Sequence, residues 1–384
     1  MPAPKLPSTP TLRVWDLPTR LYHWIQVVLV ALALGLGFFA PEWLLNQHVV
    51  IGFALVGLIL FRLVWGFFGS YYSRFSSFVP TPGRLRAHFS GILNKQSAPA
   101  GGHELGHNPV GALMVFGLIF VLGAITITGI VTLGGVENWG PLAGFVDFST
   151  GDRARAVHLA LAYVLVVMIV AHIAGVFAES QRSRTSLVRA MVTGDKELPK
   201  GRTFGQPDGA KKGAALVSLA GLGGLAGVLF YLGVQVPASG FIQMAEMDDF
   251  KSECSDCHEL YHPSLLPEES WTLMMAGLED HFGEDASLSQ DTTLAIGTYL
   301  ERYASEAWDS EAANRLRVVD PEKPMQISAS PFWKENHAQI PEEVFKTRPV
   351  RGTGNCKACH GDAESGRFDD SKISIPEPTP ERES

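Results

Sequence analysis

The sequence predicts an all-α protein in two parts. A transmembrane four-helix bundle with a fifth membrane helix comes first, then a mostly α-helical and loop-like domain outside the bilayer. Three observations carry this. Five apolar runs each reach the roughly 20 residues that cross a bilayer as a helix. Charge is segregated: Ala238–Ser384 holds 29 of the 39 acidic residues but only 13 of the 31 basic ones, so an acidic soluble part follows a membrane part with excess positive charge. All four cysteines fall in two Cys-x-x-Cys-His motifs, Cys254–His258 and Cys356–His360. At 46% hydrophobic and 18% charged, the chain is too apolar for a soluble protein and too mixed for a purely membrane one. The acidic exterior does not fit a nucleic-acid partner.

The apolar runs are Tyr22–Ala40, His48–Gly69, Pro109–Leu133, Ala156–Ala178 and Gly213–Val236. The first follows Arg13, Asp16 and Arg20 and is too long for the core of a signal peptide, so it reads as an uncleaved membrane helix. Asn108-Pro109 opens the third, with a capping side chain followed by a proline tolerated in the first turn. Gly223 and Gly227 in the fifth have the spacing of close helix packing. Lys and Arg set the orientation. Arg74, Arg84, Arg86 and Lys95 lie between the second and third runs. Arg182, Arg184, Arg189, Lys196, Lys200, Arg202, Lys211 and Lys212 lie between the fourth and fifth, and none lies between the first and second. The N-terminus is therefore expected in the cytoplasm of a bacterial inner membrane and the C-terminal part in the periplasm. Expected domains are 1–212, a tether helix 213–237, and 238–384. Outside the membrane, Glu269–Leu278 and Thr292–Tyr303 have helical apolar spacing, and Pro321–Pro331 and Pro376–Pro380 read as loops.

Cys-x-x-Cys-His is the attachment signature of c-type haem: two thiols bond the porphyrin and the adjacent imidazole meets the iron. Zinc ribbons or two disulfides would also use four cysteines, but neither needs a His after each pair. Covalent haem is attached outside the bacterial inner membrane, the side that the basic loops assign independently.

Histidines inside hydrocarbon are costly and normally serve a function. His23 and His172 fall near the cytoplasmic ends of the first and fourth helices, and His48 and His158 near the exterior ends of the second and fourth. His158 and His172 are 14 residues apart, about 21 Å along a helix and within about 40° of one face. Paired by depth, His23 with His172 and His48 with His158 would each hold one b-type haem between helices, since neutral imidazole is a good ligand and bundle interiors house cofactors. His88, His103 and His107 belong to the cytoplasmic loop and read as solvated loop residues; of these His107, beside the third helix, is best placed to line a quinone or haem edge.

Residues 10–200 resemble the prokaryotic cytochrome b561 family, related to hydrogenase cytochrome b subunits. The resemblance rests on Val14-Trp-Asp-Leu-Pro-Thr-Arg-Leu-Tyr-His23-Trp, Phe61-Arg-Leu-Val-Trp-Gly66, Arg74-Phe-Ser-Ser-Phe78, Gly106-His-Asn-Pro-Val-Gly-Ala-Leu-Met114 and His172-Ile-Ala-Gly-Val. It implies two b haems on four histidines of the first, second and fourth helices. Residues 250–376 resemble the small dihaem cytochromes c through Cys254–His258, Leu266-Pro-Glu-Glu-Ser-Trp271, His281-Phe-Gly-Glu-Asp-Ala-Ser-Leu288, Cys356–His360 and Phe368-Asp-Asp. That resemblance implies two bis-His c haems, His258 with His281 and His337 with His360, on Cys254, Cys257, Cys356 and Cys359. His262, where the family often has Pro, reads as a surface residue. The fifth helix matches neither family.

The expected function is a tetrahaem membrane cytochrome, two haem b and two haem c, carrying electrons between the quinone pool and a soluble periplasmic redox partner with a basic docking face. Any enzymatic activity would be of the quinol:cytochrome c oxidoreductase type, with no separate catalytic residue. Two rivals are a superoxide/quinone oxidoreductase, for which Arg153 and Arg155 would form a basic entrance, and an electron-transfer anchor in a larger dehydrogenase or hydrogenase complex.

Overall fold

The computed structural model describes residues 11–93, 105–197 and 208–376; Lys95, His103, Lys200 and Arg202 lie outside them. A short strand β1 (Thr11–Arg13) leads into α1 (Leu17–Phe39), α2 (Leu45–Phe68), α3 (Pro82–Leu93), α4 (Pro109–Gly135), α5 (Phe148–Ser183), α6 (Leu187–Thr193), β2 (Asp195–Glu197) and α7 (Lys212–Val234). The C-terminal domain adds α8 (Asp248–Cys254), α9 (Glu268–Ala276), α10 (Gln290–Arg302), α11 (Glu311–Leu316), α12 (Pro331–Asn336) and α13 (Glu342–Lys346), joined by 3-10 turns. Among the described residues five helices are long and apolar enough to cross a membrane: α1, α2 with its leading turn, α4, α5 and α7.

Two of these begin well before their apolar runs, and side-chain caps explain why. The Asp16 carboxylate accepts the Thr19 N–H at 2.9 Å and the Trp65 indole at 3.0 Å, starting α1 at Leu17. Asp147 accepts the Thr150 N–H at 2.7 Å and starts the 36-residue α5 at Phe148. In α5 the polar residues Asp152, Arg153 and Arg155 hide the start from a hydropathy reading.

The chain divides into two compact units. In the first, Val30, Leu55, Val121, Leu122 and Leu165 bring α1, α2, α4 and α5 around one apolar core. At one end β1 pairs antiparallel with β2, Leu12 opposite Lys196. Val14 and Trp15 both donate to the Gly194 carbonyl, at 2.9 and 3.0 Å. Gly194 has φ +92°, and a Cβ there would sit 2.6 Å from the Trp15 carbonyl, so only glycine closes this junction. Ala215 of α7 packs with Val64 and Trp65. Close packing expected at Gly223 and Gly227 is not found among the described residues: a Cβ at either would meet none of their atoms within 4 Å.

The second unit joins the C-terminal domain to residues 40–46 and 130–155. Its core is Phe250 from α8, Trp271 from α9 and Ile296 and Leu300 from α10, with Leu266 and Ala304. Residues 130–155 are bonded into this domain. Asp309 accepts the Phe148 N–H at 2.9 Å, Asn138 accepts the Gly240 N–H at 3.0 Å, and the Ala143 carbonyl accepts the Ser239 N–H at 2.9 Å. Asp152 pairs with Arg315 at 2.6 Å and Arg155 at 3.0 Å, and Glu311 lies 3.6 Å from both arginines. Where α4 ends and α5 begins, Gly135 and Gly151 lie backbone to backbone, and a Cβ on either would come within 2.8 Å of the other's main chain. Gly151→Val is therefore expected to force these helices apart two turns before His158 and to lower the haem b content of the detergent-purified protein. A full haem b complement would show the contact to be dispensable.

Candidate haem centres

Six of the twelve histidines fall into three ring-to-ring pairs, placed by different elements. In the membrane bundle His48, in the first turn of α2, faces His158, in the third turn of α5, with ring centres 6.1 Å apart. His23 lies on α1 and His172 on α5. In the C-terminal domain His258 and His281 have ring centres 6.1 Å apart, nearly parallel at 26°, and His337 and His360 are at 6.0 Å. An imidazole–metal bond is about 2.0 Å long, so two rings facing each other across one iron have centres about 6 Å apart. All three measured pairs have that spacing.

Hydrogen bonds orient the rings. A metal-ligating imidazole usually donates its other N–H to a carbonyl, which presents the free nitrogen to the metal. The Nδ1 of His48 meets the Ala33 carbonyl at 3.1 Å, and that of His158 the Ile125 carbonyl at 3.0 Å. The Nδ1 of His258 meets the Glu259 carbonyl at 2.7 Å, and that of His337 the Trp333 carbonyl at 2.9 Å. In each, Nε2 is the atom left for iron. Gly37 and Gly129 leave room for the rings, since a Cβ at either would lie 3.2 Å from His48 or His158. The Nδ1 atoms of His23 and His360 are buried without a partner.

The C-terminal site is held by short irregular segments. Cys254 ends α8, and Cys356 opens a 3-10 turn whose Cys359 accepts from Ser374 N at 2.8 Å. Burial pushes the Cys254 thiol up to about 11 and Cys356 to about 12, so these are un-ionised thiols in apolar surroundings rather than thiolates. Burial also lowers His281 and His337 and takes His360 down to about 4, keeping the imidazoles in the neutral, ligating form. The residues therefore fit bis-His haem with thioether attachment in this domain and non-covalent haem in the bundle.

The family described as prokaryotic cytochrome b561 matches residues 14–194, and dihaem cytochrome c matches residues 250–368. The crystal structure of DHC purified from Rhodobacter sphaeroides is 35% identical to this chain, which covers 98% of it, with a TM-score of 0.26 and 32% of this chain included. The chain is a cytochrome b561 fused to a dihaem cytochrome c. A dihaem cytochrome c from Shewanella baltica is 31% identical over 33% of this fusion and 91% of its own length, TM-score 0.27. In the membrane half, a probable Ni/Fe-hydrogenase B-type cytochrome subunit of Bradyrhizobium diazoefficiens is 23% identical over 221 residues, 49% of this fusion and 87% of its own length. The fusion is thus an integral membrane electron-transfer cytochrome that uses both haem b and haem c.

Two expectations about histidines are corrected. His262 is not a surface residue: it is 5% exposed, its ring centre 4.8 Å from that of Trp308, and a Cβ on Gly366 would clash with it. Its Nδ1 accepts from the Ser264 hydroxyl at 2.7 Å and N–H at 3.3 Å, capping the turn Pro263–Leu265, and burial takes it down to about 4. The folding of residues 308 and 366 over it is a long-range event with no sequence signature. Nor is His107 a solvated loop residue: it packs between Trp15 and Phe78, ring centres at 4.7 and 4.4 Å, its Nδ1 is buried without a partner among the described residues, and burial pushes it down to about 3.

Sequence reasoning also missed an acidic junction within the second unit. Glu42, Glu137, Glu311, Asp369 and Asp370 interact there, with Arg155 opposing them. Burial, then Asp370 and Glu311, raises Glu137 well above the carboxylate range; burial, then Glu42 and Glu311, raises Asp370 to about 7. A raised acid binds more protons folded than unfolded, so the stability of this unit should fall as pH rises from about 4 to 7. Asp370→Asn is expected to flatten that decline, raising the thermal midpoint at pH 8 by several degrees and changing it little at pH 5. Parallel wild-type and variant melting curves would count against this.

Proposed function

We propose that the fusion takes electrons from quinol in the bilayer and delivers them to a soluble redox partner on the outer side of a bacterial inner membrane. The reading rests above all on the pairs at bis-His spacing in both halves of one chain. His23, His172, His48 and His158 would hold two haem b, and His258, His281, His337 and His360 two haem c on the four cysteines. When bound, these groups accept and release single electrons, so a quinol that loses two electrons and two protons can serve a one-electron partner. The chain's own part is to fix ring orientation through the carbonyls of Ala33, Ile125, Glu259 and Trp333. It also withholds methionine ligands, which keeps potentials comparatively low.

The orientation proposed places β1 and the basic loops in the cytoplasm and 238–384 in the periplasm. The acidic C-terminal domain would then attract a basic partner and steer its docking. The superoxide reading needs free basic groups at the outer entrance. Instead Arg155 is paired with Asp152 and Glu311, and Arg153 is bonded to Ser149 of its own helix at 3.0 Å.

Purified protein is expected to give equal haem b and haem c in a pyridine haemochrome spectrum, with only the b fraction lost to acid–acetone. A short-chain quinol should reduce the c haems. Reduction by dithionite but not by quinol would sink the quinol-linked reading.

A further inference from the structure

We propose that the second attachment motif, Cys356–His360 with His337, is the membrane-side c centre. The first, Cys254–His258 with His281, is then the outward centre that serves the soluble partner. This rests on the reading above, that the chain conducts electrons outward from the bilayer. It inverts chain order, because Cys254 comes soon after α7 ends at Val234 while Cys356 comes much later.

The second motif is tied to the membrane turn within its own compact unit. Ser374 N donates to the Cys359 carbonyl at 2.8 Å, and His360 forms an isolated bridge with Ile373. The adjoining turn Asp370–Lys372 packs on Glu42–Leu44, the turn between α1 and α2. Glu42 acts electrostatically on both Asp370 and His337. Glu42–Leu44 runs without a break into α2, where His48 lies six residues past Glu42, about 9 Å along a helix.

The first motif is the more open of the two. Cys257 and His258 are exposed while Cys254 and His281 are partly covered, and Phe282, beside His281, is 62% exposed; Cys356, Cys359 and His360 are by contrast all partly covered. The two motifs are also linked to each other. Lys357 N donates to both carboxylate oxygens of Glu259 at 3.3 Å, and the Tyr261 hydroxyl donates to the Gly354 carbonyl at 2.6 Å. A single electron can therefore pass from the covered site to the exposed one through adjoining residues, with quinol as the reductant and the soluble partner as the oxidant.

The test is a nitroxide on Trp43→Cys in the full-length holoprotein, with its relaxation enhancement by the ferric centres measured by pulsed EPR. The outer b centre contributes equally in every sample, so differences isolate the c centres. Removing the second centre with C356A/C359A is expected to abolish most of the remaining enhancement; C254A/C257A should leave it nearly intact. The reverse pattern would overturn the assignment. Should either double variant fail to fold, His337→Met and His281→Met keep covalent attachment and shift one c signal each. The signal moved by His337→Met must then be the one coupled to the label, and coupling to the His281→Met signal would overturn the ordering. These readings need no quinol, so an inverted label pattern with intact quinol reduction would refute the ordering alone. Failure of quinol reduction in the wild type would refute the functional reading alone.

Discussion

Replacing His158 with alanine is expected to remove one b haem and to stop quinol from reducing either c haem, while dithionite still reduces both. The ring of His158 faces that of His48 at 6.1 Å, and its Nδ1 is held by the Ile125 carbonyl at 3.0 Å, so its loss leaves one ligand where two are needed. Loss of an outer-shell partner alone weakens metal binding by about 10–100-fold, and loss of the ligand itself should exceed that. The b-to-c ratio should fall from two to two toward one to two, and quinol-driven c reduction should slow by at least about 100-fold. His48→Ala should behave alike, since the two rings serve one site. Retention of both b haems in either variant would show that this pair is not a haem site.

Trp271→Ala is expected to cost about 3–5 kcal/mol, the usual range for deleting a buried aromatic side chain. Trp271 is 5% exposed and sits among Phe250, Leu266, Ile296, Leu300 and Ala304, with its indole N–H donated to the Pro263 carbonyl at 2.8 Å. Truncation would open a cavity at the meeting point of α8, α9 and α10 and strand that carbonyl. A domain of this size has only about 5–15 kcal/mol of net stability, so the loss should be visible as a lower denaturant midpoint for the c-haem Soret band. The membrane haem b spectrum should be unchanged at low denaturant. Trp271→Phe should cost less, since it keeps most of the packing. Equal midpoints for wild type and Trp271→Ala would place the stability of this domain elsewhere, in its haem attachments.

The helix count and the cysteine motifs were legible because both are local signals. A membrane helix announces itself by about 20 apolar residues, and Cys-x-x-Cys-His acts within five positions. The first turn of α5 was not legible, because Asp152, Arg153 and Arg155 answer to Arg315, Glu311 and Ser149 rather than to hydropathy. The distal histidines His281 and His337 carry no local signal either. Resemblance to a family proposed them, and the fold brings each within about 6 Å of a motif histidine.

Composition, periodicity and motif spacing were enough for the architecture and the two kinds of haem, since hydrophobic burial and covalent attachment act on neighbours in the chain. Long-range packing alone decided the rest. It buried His262 under Trp308 and Gly366, gathered Glu42, Glu137, Glu311 and Asp370 at one junction, and laid the turn Asp370–Lys372, which follows the later cysteine motif, against the earlier turn Glu42–Leu44. Such contacts depend on how distant segments share one core, and no window of sequence contains both partners.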